Sequence, residues 1–179
     1  MDQRMTLRLA ATCCLFVAMT LAAGSALAVN CTPDDITLNS QQAVDDFQLN
    51  HGPGCDRVVG DLTISGPDIT NLAGLAGLES VYWVYIINNP ALSDLTGLES
   101  ITTATGPIDI WNNTSLTSLD GLSGLTSLGG SLTLLDNFFL SDIDALGNLV
   151  SIGSSLFLSR SDGLSNLDGL TSLTSIGFA

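Results

Sequence analysis

The chain has 179 residues, 45% of them hydrophobic, which is enough apolar material for one buried core. Eighteen acidic residues stand against four basic ones, a formal net charge of −14 at pH 7. That balance argues against nucleic acid and anionic membrane as partners, because both need basic surface; its plainest use is to keep an exported protein soluble.

The first segment reads as a secretory signal peptide. Arg4 and Arg8 precede an apolar run from Leu9 to Leu21, and Ala26-Leu27-Ala28 supplies the small-residue cleavage site, so the signal covers residues 1–28. The run is short for a transmembrane span. Cleavage removes one acid, two arginines and two of the four cysteines, leaving a net charge of −15 with Arg57 and Arg160 as the only bases. The mature chain is therefore expected outside the cytoplasm, secreted or at the cell surface or in a periplasm, with no membrane insertion. Its two remaining cysteines, Cys31 and Cys55, most simply form one disulfide.

Residues 29–60 read as an N-terminal cap that does not follow the later repeat. Ile36-Thr37-Leu38 has strand character, and Asn39 or Ser40 can cap a short helix from about Gln41 to Leu49. Ala43, Val44 and Phe47 then fall on the inner face of that helix. His51-Gly52-Pro53-Gly54 reads as a loop. His51 is the only histidine, and no second histidine or free cysteine is left to build a metal site with it.

From residue 61 to 179 one unit recurs, starting at Leu62, Val84, Ile108, Leu132 and Leu156, with offsets of 22, 24, 24 and 24 residues. Its clearest copy is Ile108–Gly130. The alternating Ile108-Asp109-Ile110 puts two isoleucines on one side of a strand. After Asn112-Asn113, the leucines 116, 119, 122, 125 and 128 follow at a spacing of three, which suits neither a 3.6-residue helix nor a long strand. It suits a chain of short straight pieces and corners that needs neighbours above and below, which is the logic of a solenoid. About five coils are expected, apparently open at the C-terminal end, with the first end covered by the cap. Stacking them puts Asn89, Asn113 and Asn137 in one column, with Ser161 next, where inward side chains can bond the backbone of adjacent corners as a structural ladder. Asn113 also lies in two overlapping glycosylation sequons, and Asn30-Cys31-Thr32 is a third.

The order strand, asparagine, L-x-x-L-x-x-L, then Gly-Gly before the next strand resembles the receptor L-domain. This is the irregular leucine-rich-repeat module found in insulin-receptor and epidermal-growth-factor-receptor ectodomains. Leu119-Asp120-Gly121-Leu122 and Leu128-Gly129-Gly130-Ser131-Leu132 match it most closely, and Gly60-Asp61-Leu62-Thr63-Ile64 resembles the opening of the first coil. The similarity covers about residues 31–179; the later cysteines of receptor modules are absent. It implies a mainly β fold, a right-handed β-solenoid with a small α/β cap, and a protein that binds ligands or organises surfaces.

Little else in the sequence carries chemistry. Hydroxyl columns (Thr70/Ser93/Thr117/Ser141/Ser165 and Ser80/Thr103/Ser127/Ser151/Ser175) raise an ice-binding face, but single residues between inward leucines more simply bond their own turns. Asp120, Asp144 and Asp168, with Asp94 and Asp142 close by, form an acidic column without a calcium-loop pattern. A Ser-His-Asp site would have to use His51, and no nucleophile-elbow motif exists. Asp109 and Asp136 near the strand face raise a glycan-active enzyme. No metal or cofactor is expected. The unusual feature is the outward side of the main strands: Trp83, Tyr85, Ile87, Trp111, Leu135 and Phe157, with Asp109 among them, where polar residues would be ordinary. Exposed apolar patches mark interaction sites. The expected function is non-catalytic surface recognition or adhesion, with a protein or carbohydrate ligand on this face and with end-to-end or face-to-face self-association as a further use. A glycan-active enzyme and an ice-binding protein are the alternatives.

Overall fold

The protein is described by a computed structural model over residues 28–177. The signal peptide read over residues 1–28 lies outside this range apart from Ala28. The described chain is mainly β: one ten-stranded, unclosed parallel sheet with two five-residue helices and three short 3-10 turns. No helix among the described residues is long and apolar enough to cross a membrane.

The repeat offsets are the offsets of the strand ladder. Strands β1 (Ile36–Leu38), β2 (Arg57–Ile64), β3 (Ser80–Ile87), β5 (Ile108–Trp111), β7 (Leu132–Leu135) and β9 (Leu156–Ser159) pair in that order, all parallel. Leu62, Val84, Ile108, Leu132 and Leu156 are successive register partners. From β3 the sheet divides. Its start, Ser80-Val81, pairs β4 (Thr103–Ala104), followed outward by β6 (Ser127–Leu128), β8 (Ser151–Ile152) and β10 (Ser175–Ile176), while its end pairs β5. Gly106-Pro107 separates the two branches, and a Cβ at Gly106 would press on the Tyr82 carbonyl.

The three-residue leucine spacing has a hydrogen-bond cause. Leu116 N–H donates to Asn113 C=O (3.1 Å), Leu122 N–H to Leu119 C=O (3.0 Å) and Leu125 N–H to Leu122 C=O (3.0 Å). Each i→i+3 closure returns the chain inward after three residues. One column of side chains caps these corners. Asn71, Asp94, Ser118, Asp142 and Asn166 each accept the N–H two residues on, at 2.7–3.1 Å. At Asp94 burial pushes the carboxyl pKa up, but bonds from Thr96 and Ser93 outweigh it and hold the carboxyl below its ordinary range. Gly121 sits at φ 109° where a Cβ would strike the Leu95 carbonyl of the preceding repeat, so this corner needs a residue without a side chain.

The core is the stack of inward residues. Ile69, Leu92, Leu116 and Leu140 are fully buried, as are Leu72, Leu95 and Leu119. Asn89, Asn113 and Asn137 are the buried polar residues among those described. Asn113 Oδ1 accepts both the N–H and the side-chain amide of Asn89 at 3.0 Å, and its Nδ2 donates to Ile86 C=O at 2.9 Å. Asn137 treats Asn113 the same way and donates to Ile110 C=O, while Asn89 serves Gly66 N–H and Ile64 C=O. Each buried amide thus ties two repeats together with its hydrogen-bonding groups engaged. Ser161, next in the column, has a buried hydroxyl with no partner among the described residues.

The cap departs from expectation in three ways. The single helix over Gln41–Leu49 is two helices, α1 (Gln41–Asp45) and α2 (Phe47–His51), broken at Asp46. Val44 and Phe47 are both buried, as expected for the inner face, and Ser40 Oγ caps α1 by accepting Ala43 N–H at 3.2 Å. His51 is therefore the last residue of α2 and not part of the loop; its Nδ1 lies 2.9 Å from Thr32 C=O, so that nitrogen carries the proton, and its ring packs on Phe47. The cap also joins the repeat. Ile36 and Leu38 stand in register with Leu62 and Ile64, so β1 extends the inward columns by one strand. Gln41 fastens α1 to the first corner, accepting Thr70 and Asn71 N–H and donating to Asn71 C=O. Cys31 and Cys55 form a disulfide with their Cα atoms 4.9 Å apart. At the other end of the stack the inward columns open: Leu156, Leu158, Leu164, Leu170 and Leu173 are only partly buried, and Leu167 is 51% exposed.

Candidate functional site

Strand alternation decides which side chains share the outward face. With Val84, Ile86, Ile108 and Ile110 buried inside, Trp83, Tyr85 and Ile87 of β3 and Asp109 and Trp111 of β5 point the other way. Register then sets the neighbours. Tyr85 stands beside Asp109, Ile87 beside Trp111, and Trp111 beside Leu135 of β7, while Thr133 separates Asp109 from Phe157 of β9. All seven expected residues therefore lie on one sheet face.

Their exposure is uneven. Trp111 (37%) and Phe157 (53%) are exposed, whereas Trp83, Tyr85, Ile87, Asp109 and Leu135 are half-buried. The Trp83 and Tyr85 rings stack with centroids 5.1 Å apart and planes inclined by 19°. The Trp83 indole N–H donates to Asp109 Oδ2 at 3.2 Å, a diagonal bond that fixes ring and carboxylate together. Burial, then the charges of Asp61 and Asp109, raise the Tyr85 hydroxyl pKa above its ordinary value.

Sequence reading missed two parts of this surroundings. Asp61 is the register partner of Trp83 across β2–β3; the 22-residue offset between those strands was the signal for it. A column at positive φ, Asn88, Asn112, Asp136 and Arg160 (φ 52–58°), ends the strands beside the buried ladder. Asn112 donates to Asn88 (2.7 Å), and Arg160 grips Asp136 with Nε–Oδ1 at 2.6 Å and Nη2–Oδ2 at 2.8 Å. Asp136, raised as half of a carboxylate pair with Asp109, is thus held by a guanidinium while Asp109 holds the Trp83 indole.

The remaining candidates are placed as follows. Asp120, Asp144 and Asp168 are exposed, and no group of three or more metal-ligating side chains occurs among the described residues. Of the hydroxyl columns, Thr117 and Ser141 donate to carbonyls of the preceding repeat at 3.2 and 3.4 Å, and Thr126 and Thr174, outside those columns, do the same at 3.1 Å. Two open clefts lie away from the aromatic face. One, of about 260 Å3, lies at the exposed end around Leu158, Ser161 and Leu167. The other, of about 200 Å3, lies around Arg57, Val59 and Tyr82. Comparison with protein-family models, curated proteins and solved structures finds no match to the chain.

Proposed function

We propose that this chain is an exported, non-catalytic recognition or adhesion module, built as a right-handed β-solenoid of the leucine-rich, receptor L-domain type. Its ligand, a protein or a glycan at a cell surface, docks on the outward face of β3, β5, β7 and β9. The observation that carries this reading is the aromatic and aliphatic row Ile87–Trp111–Leu135 on that face, with Trp83, Tyr85 and Phe157 beside it, where Trp111 and Phe157 remain exposed. Tryptophan and tyrosine are favoured anchors of binding surfaces. The disulfide is compatible with an extracellular location, and the signal-peptide pattern agrees with export.

The test is Trp111→Ala. Partly exposed and at the end of β5, Trp111 contributes little to the core, so thermal stability is expected to stay near that of the parent. Binding to intact cell surfaces or a glycan array should fall by at least about 2 kcal/mol, the loss typical of a hot-spot residue. A large drop in melting temperature with unchanged binding would place the recognition surface elsewhere. Release of reducing ends from a polysaccharide panel would move the reading to a glycan-active enzyme.

A further inference from the structure

The aromatic face has a pole of one charge. Asp35 and Asp61 precede the paired segments of β1 and β2 that end in Leu38 and Ile64, and Asp61 stands beside Trp83. Asp109 stands on the other side, beside Tyr85. Among the described residues no base offsets them on this face: Arg57 pairs with Ser80 at the far start of β2 and β3, and Arg160 is engaged by Asp136. The whole chain carries a net charge of −14, which deepens the field.

The rings at this pole are poorly disposed for a sugar. Trp83 and Tyr85 are stacked on each other, so the surfaces facing each other are not free as a platform for a pyranose ring. What the pole offers is a tyrosine with Asp109 as its partner on β5 and Asp61 diagonally across on β2, beside Trp83. Burial first, and then the charges of Asp61 and Asp109, raise the Tyr85 hydroxyl pKa above its ordinary value.

We propose that the partner of this face is a protein segment presenting an arginine side chain, whose guanidinium seats at Tyr85 between Asp61 and Asp109. This rests on the aromatic face being the recognition surface and names its ligand class. A guanidinium offers five donors in a planar fork and is weakly hydrated, so it can bond carboxylate oxygens and lie against an aromatic ring at once. The aliphatic remainder of the partner then covers Ile87, Trp111 and Leu135.

The protein supplies its own reporters, because its two tryptophans, Trp83 and Trp111, are both on this face. Their indole N–H signals would be followed by NMR while the protein is titrated with acetyl-Gly-Gly-Arg-Gly-Gly-amide. The neutral citrulline counterpart, cellohexaose and chitohexaose serve as comparison probes. The arginine peptide should shift the indole signals saturably and lose affinity at high salt, and the citrulline peptide should not bind. Asp61→Asn/Asp109→Asn should weaken the peptide at least about tenfold, as expected on removing the carboxylate partners of a guanidinium. Asp61→Asn alone, which leaves the Trp83–Asp109 bond intact, should give a smaller loss in the same direction. Asp120→Asn/Asp144→Asn, on a different surface, should bind as the parent does. Peptide binding unchanged in the face variants, or lost equally in the Asp120/Asp144 variant, would overturn the assignment, showing attraction to the overall charge only. Shifts by an oligosaccharide without shifts by the peptide would overturn the arginine assignment and leave the recognition face standing. No shift by any probe, with undiminished cell-surface binding of Trp111→Ala, would overturn both.

Discussion

Asn113→Ala is the sharpest perturbation of the stack. Asn113 is fully buried, and its side chain is the acceptor for Asn89 N–H and the donor to Ile86 C=O. Alanine would strand the Asn89 N–H, and an unsatisfied buried donor costs about 1–3 kcal/mol. The side-chain amide of Asn89 loses one of its two partners, Ile86 C=O loses a donor, and Asn137 Oδ1 keeps only the Asn113 N–H. The expected destabilisation is about 2–4 kcal/mol, or about 6–12 °C in melting temperature for a domain of this size. Asn112→Gly is the matched control. Asn112 is exposed, its φ of 58° suits glycine, and its side chain makes one bond, to Asn88; the cost should stay within about 1 kcal/mol. Urea unfolding followed by far-ultraviolet circular dichroism measures both. Equal effects at 112 and 113 would refute the account of the buried amides as the ties between repeats. The double variant Asn89→Ala/Asn113→Ala should cost less than the sum of its parts, since the two residues share bonds.

Two further outcomes probe the corners and the cap. Leu122 is buried in the middle of the stack while Ser123 is exposed, so Leu122→Ala should cost about 2–5 kcal/mol and Ser123→Ala within about 0.5 kcal/mol, measured by the same unfolding experiment. Replacing both Cys31 and Cys55 by serine opens a covalent loop with a sequence separation of 24, and calorimetry should show a loss of about 3 kcal/mol.

The strand register was legible in the chain because a parallel, in-register stack places each residue over the one a fixed number of positions later. Reading Leu62, Val84, Ile108, Leu132 and Leu156 as equivalents therefore amounts to reading the ladder itself. The outward grouping of Trp83, Tyr85, Asp109 and Trp111 follows from the same alternation. So does the inward asparagine column, because a polar residue at a constant place in an apolar period has to find partners one period away.

Other features depended on contacts that no period encodes. Ile36–Leu38 joins the inward columns and repeats the pattern of Asp61-Leu62-Thr63-Ile64 in Asp35-Ile36-Thr37-Leu38, but Ile36 precedes its partner Leu62 by 26 residues, outside the 22–24-residue period, and α1 intervenes, with Gln41 fastened to the first corner. Asp46, at φ −89° and ψ 11°, divides one helical stretch in two, and no feature of the residue pattern marks that break, since Val44 and Phe47 at i and i+3 would share a face of an unbroken helix as well. The residues of the outward face were named from sequence, but the stacking of Trp83 on Tyr85 and the diagonal bond from Trp83 to Asp109 were set by rotamers in the folded sheet. Arg160 follows Asp136 by one period of 24 residues, so the column brings them together, and the rotamers close the ion pair. Periodicity assigns each residue a column and a side, whereas the orientation of long side chains is settled by which neighbours occupy the space beside them.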